Sequence, residues 1–80
     1  MALVKRIENT TKERQSVHDE TECVASTFTD AKGRTYLQLD TFGSSKRKLP
    51  GKISQAIQFD EGAAAELKRL VERTFPHLKR

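Results

Sequence analysis

Hydrophobic and polar residues alternate most regularly over residues 34–42. Leu37 and Leu39, with Thr35 and Thr41, fall on one side of an extended chain, and Arg34, Tyr36, Gln38, Asp40 and Phe42 fall on the other. Strand side chains point alternately to opposite faces, so this period of two predicts a strand whose leucines meet a core and whose second set meets solvent or a ligand. Residues 20–29 also favour extended structure: Thr21, Cys23, Val24, Thr27, Phe28 and Thr29 are β-branched, aromatic or small, and no Gly or Pro interrupts them. Between the two runs Asp30 opens a turn and Gly33 supplies a positive backbone φ, which predicts a tight hairpin. A third run, residues 53–59, places Ile53, Gln55, Ile57 and Phe59 on one face and Ser54, Ala56 and Gln58 on the other. Gln55 interrupts the apolar face. It either lies at the sheet margin with its amide hydrogen-bonded or reaches round to a ligand.

Beyond Phe59 the period becomes helical. Ala64, Leu67, Leu70, Val71, Thr74 and Phe75 recur behind Asp60, whose carboxylate caps free amides, and Pro76 ends the helix at Phe75. The resulting stripe packs on the leucine face of the sheet, while Phe75 and Leu78 are placed to contact a second subunit. This order predicts an α+β fold: a small antiparallel curved β-sheet followed by one C-terminal α-helix, dimeric, with one sheet face left open. Residues 1–15 lack strong turn or cap signals and read as a flexible N-terminal arm ahead of a single sheet-plus-helix domain over residues 16–80. Lys5, Arg6, Lys12 and Arg14 of that arm are spare cations for a nucleic acid.

Composition makes the second subunit matter. The chain has 80 residues, is 35% hydrophobic and has no Trp; a core this thin rarely supplies more than about 3–5 kcal/mol. With Cys23 as the only cysteine, an internal disulfide cannot compensate, which leaves oligomerisation. No apolar run approaches a membrane span, and the first seven residues are too short and too charged for a signal peptide, so a cytoplasmic or nuclear location is expected.

Charge picks out the candidate chemistry. Residues 1–30 carry four Lys/Arg against six Asp/Glu, whereas residues 31–59 carry six against Asp40 alone. A concentrated basic segment is the footprint of a polyanion partner. Lys46, Arg47 and Lys48 lie between Gly43-Ser44-Ser45 and Pro50-Gly51, with Lys52 just beyond. That is either a flexible loop of cations for a phosphate backbone or a solvated loop that discourages edge pairing. Lys32 and Arg34 flank the hairpin turn. Tyr36 and Phe42 offer rings to bases, and Gln38, Gln55 and Gln58 offer adaptable amides. Unpaired nucleic acid, with exposed bases as well as phosphates, suits such a face better than a duplex, since no helix carries the basic surplus.

Catalysis finds little support. His18, Asp19, Glu20, Glu22 and Cys23 crowd together, yet no second ligand pair with metal-site spacing follows. Cys23 reads as a small buried hydrophobe rather than a nucleophile, and no phosphate-cradling glycine loop is present. No enzyme activity, metal or cofactor is expected.

Several signatures fall in one order: Lys-Gly-Arg at 32–34, Tyr-Leu-Gln-Leu at 36–39, a Gly- and Lys-rich loop, Pro-Gly-Lys at 50–52, Ser-Gln-Ala-Ile-Gln-Phe at 54–59 and Leu-Lys-Arg-Leu-Val-Glu-Arg-Thr-Phe at 67–75. This run resembles the positive cofactor four family of single-stranded-DNA-binding transcription coactivators, its bacteriophage members most closely. The resemblance implies a homodimer with curved grooves that binds unpaired DNA with little sequence preference, in transcription, replication, recombination or repair. It assigns Lys32 and Arg34 to the basic hairpin, Phe42 to the aromatic end of the second strand, and Lys46, Arg47, Lys48 and Lys52 to the basic loop. Ala31 and Gly43 stand where the coactivators carry aromatic residues, so stacking is expected to be thinner here. Two other readings share the charge pattern: RNA binding, and a protein-interaction adaptor whose basic loop takes an acidic partner.

Overall fold

The computed structural model describes residues 1–42 and 53–79. The chain runs through β1 (Ala2–Val4), β2 (Cys23–Thr29), β3 (Thr35–Thr41), β4 (Gln55–Phe59) and α1 (Glu61–Thr74), and closes with a 3-10 turn at Pro76–Leu78. One sheet takes all four strands in the order β1-β4-β3-β2. β3 is antiparallel to both neighbours, as expected, but β1 runs parallel to β4, so the sheet is mixed rather than purely antiparallel.

β1 corrects the expectation of an N-terminal arm. Ala2 faces Ile57 and Val4 faces Phe59 across the sheet. A three-residue strand whose partner lies 55 residues further along the chain leaves no local turn or cap to betray it. Lys5 then pairs with Asp60 at 3.1 Å, and the Ile7 amide donates to Glu66 on α1 at 3.3 Å. Residues 8–22 carry neither helix nor strand and are exposed. They form a connection inside the fold, not a tail ahead of it.

The β2–β3 hairpin closes as its residues dictate. The Gly33 amide donates to the Asp30 carbonyl at 3.0 Å and the Asp30 amide to the Arg34 carbonyl at 2.9 Å, with Gly33 at φ 83°. This is a three-residue loop with glycine in the left-handed position, a conformation strained for any side chain. Asp30 Oδ1 locks it by accepting from the Lys32 and Arg34 amides at 2.9 and 3.0 Å.

α1 begins where Asp60 predicts. Its Oδ1 accepts from the Ala63 amide at 2.9 Å, and Phe75 ends the helix just before Pro76. Ala64, Leu67, Val71 and Leu78 line one hollow together with Leu37, which puts the helix on the leucine face of the sheet. Phe59, immediately before the cap, and Ala63, in the first turn, are buried there. Ile53, expected beside Ile57 and Phe59, instead lines a hollow with Leu3, Gln38, Ala56 and Gln58 of the opposite face, since a bend at Ser54 precedes β4 and breaks the alternation.

The core is thin. Among the described residues only Ala56, Phe59 and Ala63 are buried apolar side chains, and Phe75 and Leu78 stay half exposed at 51% and 52%. Cys23, expected to be a small buried hydrophobe, is exposed.

Candidate nucleic-acid interface

Strand register sorts the predicted site residues between two faces. Tyr36, Gln38, Asp40, Ala56 and Gln58 share the face opposite α1, joined by Val24, Ser26 and Phe28 from β2 and Leu3 from β1. Gln55 lies opposite Thr41, in step with Leu39 and Ile57, and is therefore on the other face and apart from the remaining site residues. Phe42 follows the last residue of β3 and is half-buried. Lys46, Arg47, Lys48 and Lys52 lie outside the described residues, in the segment that joins Phe42 to Ile53.

The hairpin end of this face carries an aromatic surface that the sequence reading missed. Phe28 pairs directly with Tyr36, their rings stacked at 5.2 Å between centroids and 24° between planes. Phe28 is 41% exposed and Tyr36 half-buried, so the pair presents ring surface to solvent. The signal was available: a three-residue loop fixes the register, and counting back from it sets Phe28 against Tyr36.

Asp30 organises the polar surroundings of that pair. The Tyr36 hydroxyl donates to Asp30 Oδ2 at 3.1 Å, and Arg34 Nε lies 3.5 Å from the same oxygen. Arg34 is thus partly neutralised beside the turn, while the exposed Lys32 appears in none of the ion pairs among the described residues. In the N-terminal stretch Lys5 pairs with Asp60 and Arg6 with Glu8, which removes two of the spare cations.

Further along the face an amide relay crosses the sheet. Gln58 Nε2 donates to Gln38 Oε1 at 2.9 Å, and Gln38 Nε2 donates to Asp40 Oδ1 at 2.9 Å. Asp40 is only 8% exposed. By accepting from Nε2, the Asp40 carboxyl oxygen fixes which end of the Gln38 amide faces it, and Gln38 Oε1 in turn orients Gln58. The two glutamines are therefore held rather than freely adaptable. Gln38, Gln58, Leu3, Ile53 and Ala56 line a shallow hollow of about 330 Å³.

The aromatic pair, Lys32 and Arg34 sit at the hairpin end of β3, whereas the segment carrying the loop cations leaves from its other end. Seven strand residues separate the two ends, a span of about 20 Å at normal strand rise.

Two carboxylates tie the fold to pH. The Arg34 amide, then the Lys32 amide and the Tyr36 hydroxyl, hold Asp30 below its ordinary value of 3.8 against some desolvation. The Ala63 amide and then Lys5 lower Asp60 in the same way. A lowered folded value means stability that is present above the ordinary value and is lost as pH falls through the folded one. The thermal midpoint is accordingly expected to be flat above about pH 5 and to drop below about pH 4. Asp30→Asn and Asp60→Asn should each shrink that acid-side drop in melts followed by circular dichroism.

Comparison with family models, with curated protein sequences and with solved structures finds no match to this chain.

Proposed function

We propose that this chain is a binding module, not an enzyme, and that it holds single-stranded DNA with little sequence preference, as a homodimer, on the sheet face opposite α1. The observation that carries this reading is the half-exposed Phe28–Tyr36 stack on a face the helix leaves uncovered, with Lys32 and Arg34 at its edge. Bases stack on aromatic faces regardless of identity, and cations follow the phosphates. The signatures shared with the positive cofactor four family point the same way, toward transcription, replication or recombination. The thin core supports the homodimer, since a second copy covers apolar surface that one chain leaves exposed.

In this reading an unpaired strand crosses the open face from the hairpin to the segment bearing Lys46, Arg47, Lys48 and Lys52. If it neutralises about four phosphates, log affinity falls against log salt with a slope of about −3. Fluorescence anisotropy with a labelled oligonucleotide at several salt concentrations measures it. Replacing Lys46, Arg47 and Lys48 together should flatten the slope; a slope near zero in the parent chain contradicts the proposal.

A further inference from the structure

The two sheet edges differ in character. β1 is three residues long and is followed at once by Lys5 and Arg6, whereas β2 runs seven residues, Cys-Val-Ala-Ser-Thr-Phe-Thr, without charge or proline. All seven are exposed. Edge strands are normally protected by shortness, lysine, proline or a bulge, because their unpaired amides and carbonyls invite another strand. β2 has none of these protections along its length.

Its free hydrogen-bonding groups follow from the register. The bond from the Asp30 amide to the Arg34 carbonyl sets the alternation, so Phe28, Ser26 and Val24 exchange backbone bonds with β3. Cys23, Ala25, Thr27 and Thr29 therefore turn their amides and carbonyls outward.

We infer that β2 pairs antiparallel with β2 of a second copy, about a two-fold axis through Ser26, so that two four-stranded sheets become one continuous sheet. Outward groups must meet outward groups, and of the registers that satisfy this, the one centred on Ser26 keeps the whole strand paired. Ala25 then bonds Thr27 of the other copy and Cys23 bonds Thr29, while Val24 packs against Phe28 in a close non-hydrogen-bonded pair.

Three features select a second copy as the occupant. Val24 and Phe28, 50% and 41% exposed, stand symmetrically about Ser26, so a single operation covers both residues on both chains. The strand is uncharged, so self-pairing sets no like charges against each other between Cys23 and Thr29. Its flanks are complementary: Asp19, Glu20 and Glu22 precede it, and Lys32 and Arg34 follow it. Antiparallel pairing brings the acidic flank of each copy near the Lys32 and Arg34 turn of the other; Glu22 falls opposite Asp30, whose carboxylate is already held by the Lys32 and Arg34 amides and by Arg34 of its own turn. The two Phe28–Tyr36 stacks then share one surface.

This deepens the homodimer part of the proposed function and rests on that reading for the oligomeric state. The test uses the full chain carrying Cys23→Ser and Ser26→Cys under mild oxidation by oxidised glutathione. Cα atoms of a non-hydrogen-bonded pair lie about 4.5 Å apart, within disulfide range, so a covalent dimer is expected. Val71→Cys in the same Cys23→Ser background should stay uncross-linked. Ala25→Pro removes only an outward amide, as edge strands tolerate, and should sediment as a monomer with an unchanged far-ultraviolet spectrum. Thr27→Lys provides the same readout if the proline perturbs the strand. A dimer that cross-links at position 71 and not at 26, or that survives both edge variants, overturns the pairing and leaves the homodimer standing. A monomeric parent chain overturns both. Anisotropy with an unpaired oligonucleotide on the same samples reads DNA binding separately.

Discussion

Phe28→Ala is expected to weaken binding of an unpaired oligonucleotide by about 5- to 150-fold, the effect of losing one base–aromatic stack worth 1–3 kcal/mol. The loss should be similar at every salt concentration, because stacking releases no counterions, and the salt slope should stay where it was. Phe28 is a cleaner target than Tyr36, whose hydroxyl also donates to Asp30 and steadies the turn. Phe28→Tyr keeps the ring and should restore most of the affinity. Anisotropy titrations of the three proteins at two salt concentrations, with melting curves to confirm folding, decide the matter. Unchanged affinity in Phe28→Ala would remove the aromatic pair from the binding surface.

The largest stability effect is expected from Phe59→Ala. Phe59 is 8% exposed, pairs with Leu37 and Val4 across the sheet, and stands one residue before the cap of α1. Truncating a buried phenylalanine costs about 3–5 kcal/mol, which matches the whole stabilisation that a core of this size ordinarily supplies. The variant should therefore lose its helical far-ultraviolet signal and its cooperative melt at 25 °C. Ile57→Ala, on the same face but 38% exposed, should remain folded with a lowered midpoint. If a second copy contributes stability, midpoints of the parent chain rise with protein concentration.

What could be read from the sequence was local. The β3 alternation, the turn at Asp30 and Gly33, and the helix between Asp60 and Pro76 each rest on residues within a few positions of one another, and each is found where those residues place it. β1 was illegible because its partner β4 is 55 residues further along the chain, as in Leu3 opposite Gln58. Ile53 was misassigned because a bend at Ser54 resets the parity on which the face assignment depended. In the candidate site, parity put Tyr36, Gln38 and Gln58 on one face but left Gln55 open, and pairing with Thr41 resolves it to the other side. Phe28 escaped notice because hairpin register, not alternation, brings it to Tyr36. The commitment of Arg34 to Asp30 and of Gln38 to Asp40 depends on side-chain geometry that no spacing reveals.

The central claim, that the open face takes unpaired DNA, is tested most directly by fluorescence anisotropy. The parent chain is titrated into labelled single-stranded, duplex and RNA oligonucleotides of one sequence at the same salt concentration. Tight binding to single-stranded DNA with much weaker binding to the duplex is the predicted result. Equal affinity for single strand and duplex, or no binding to either, would contradict it.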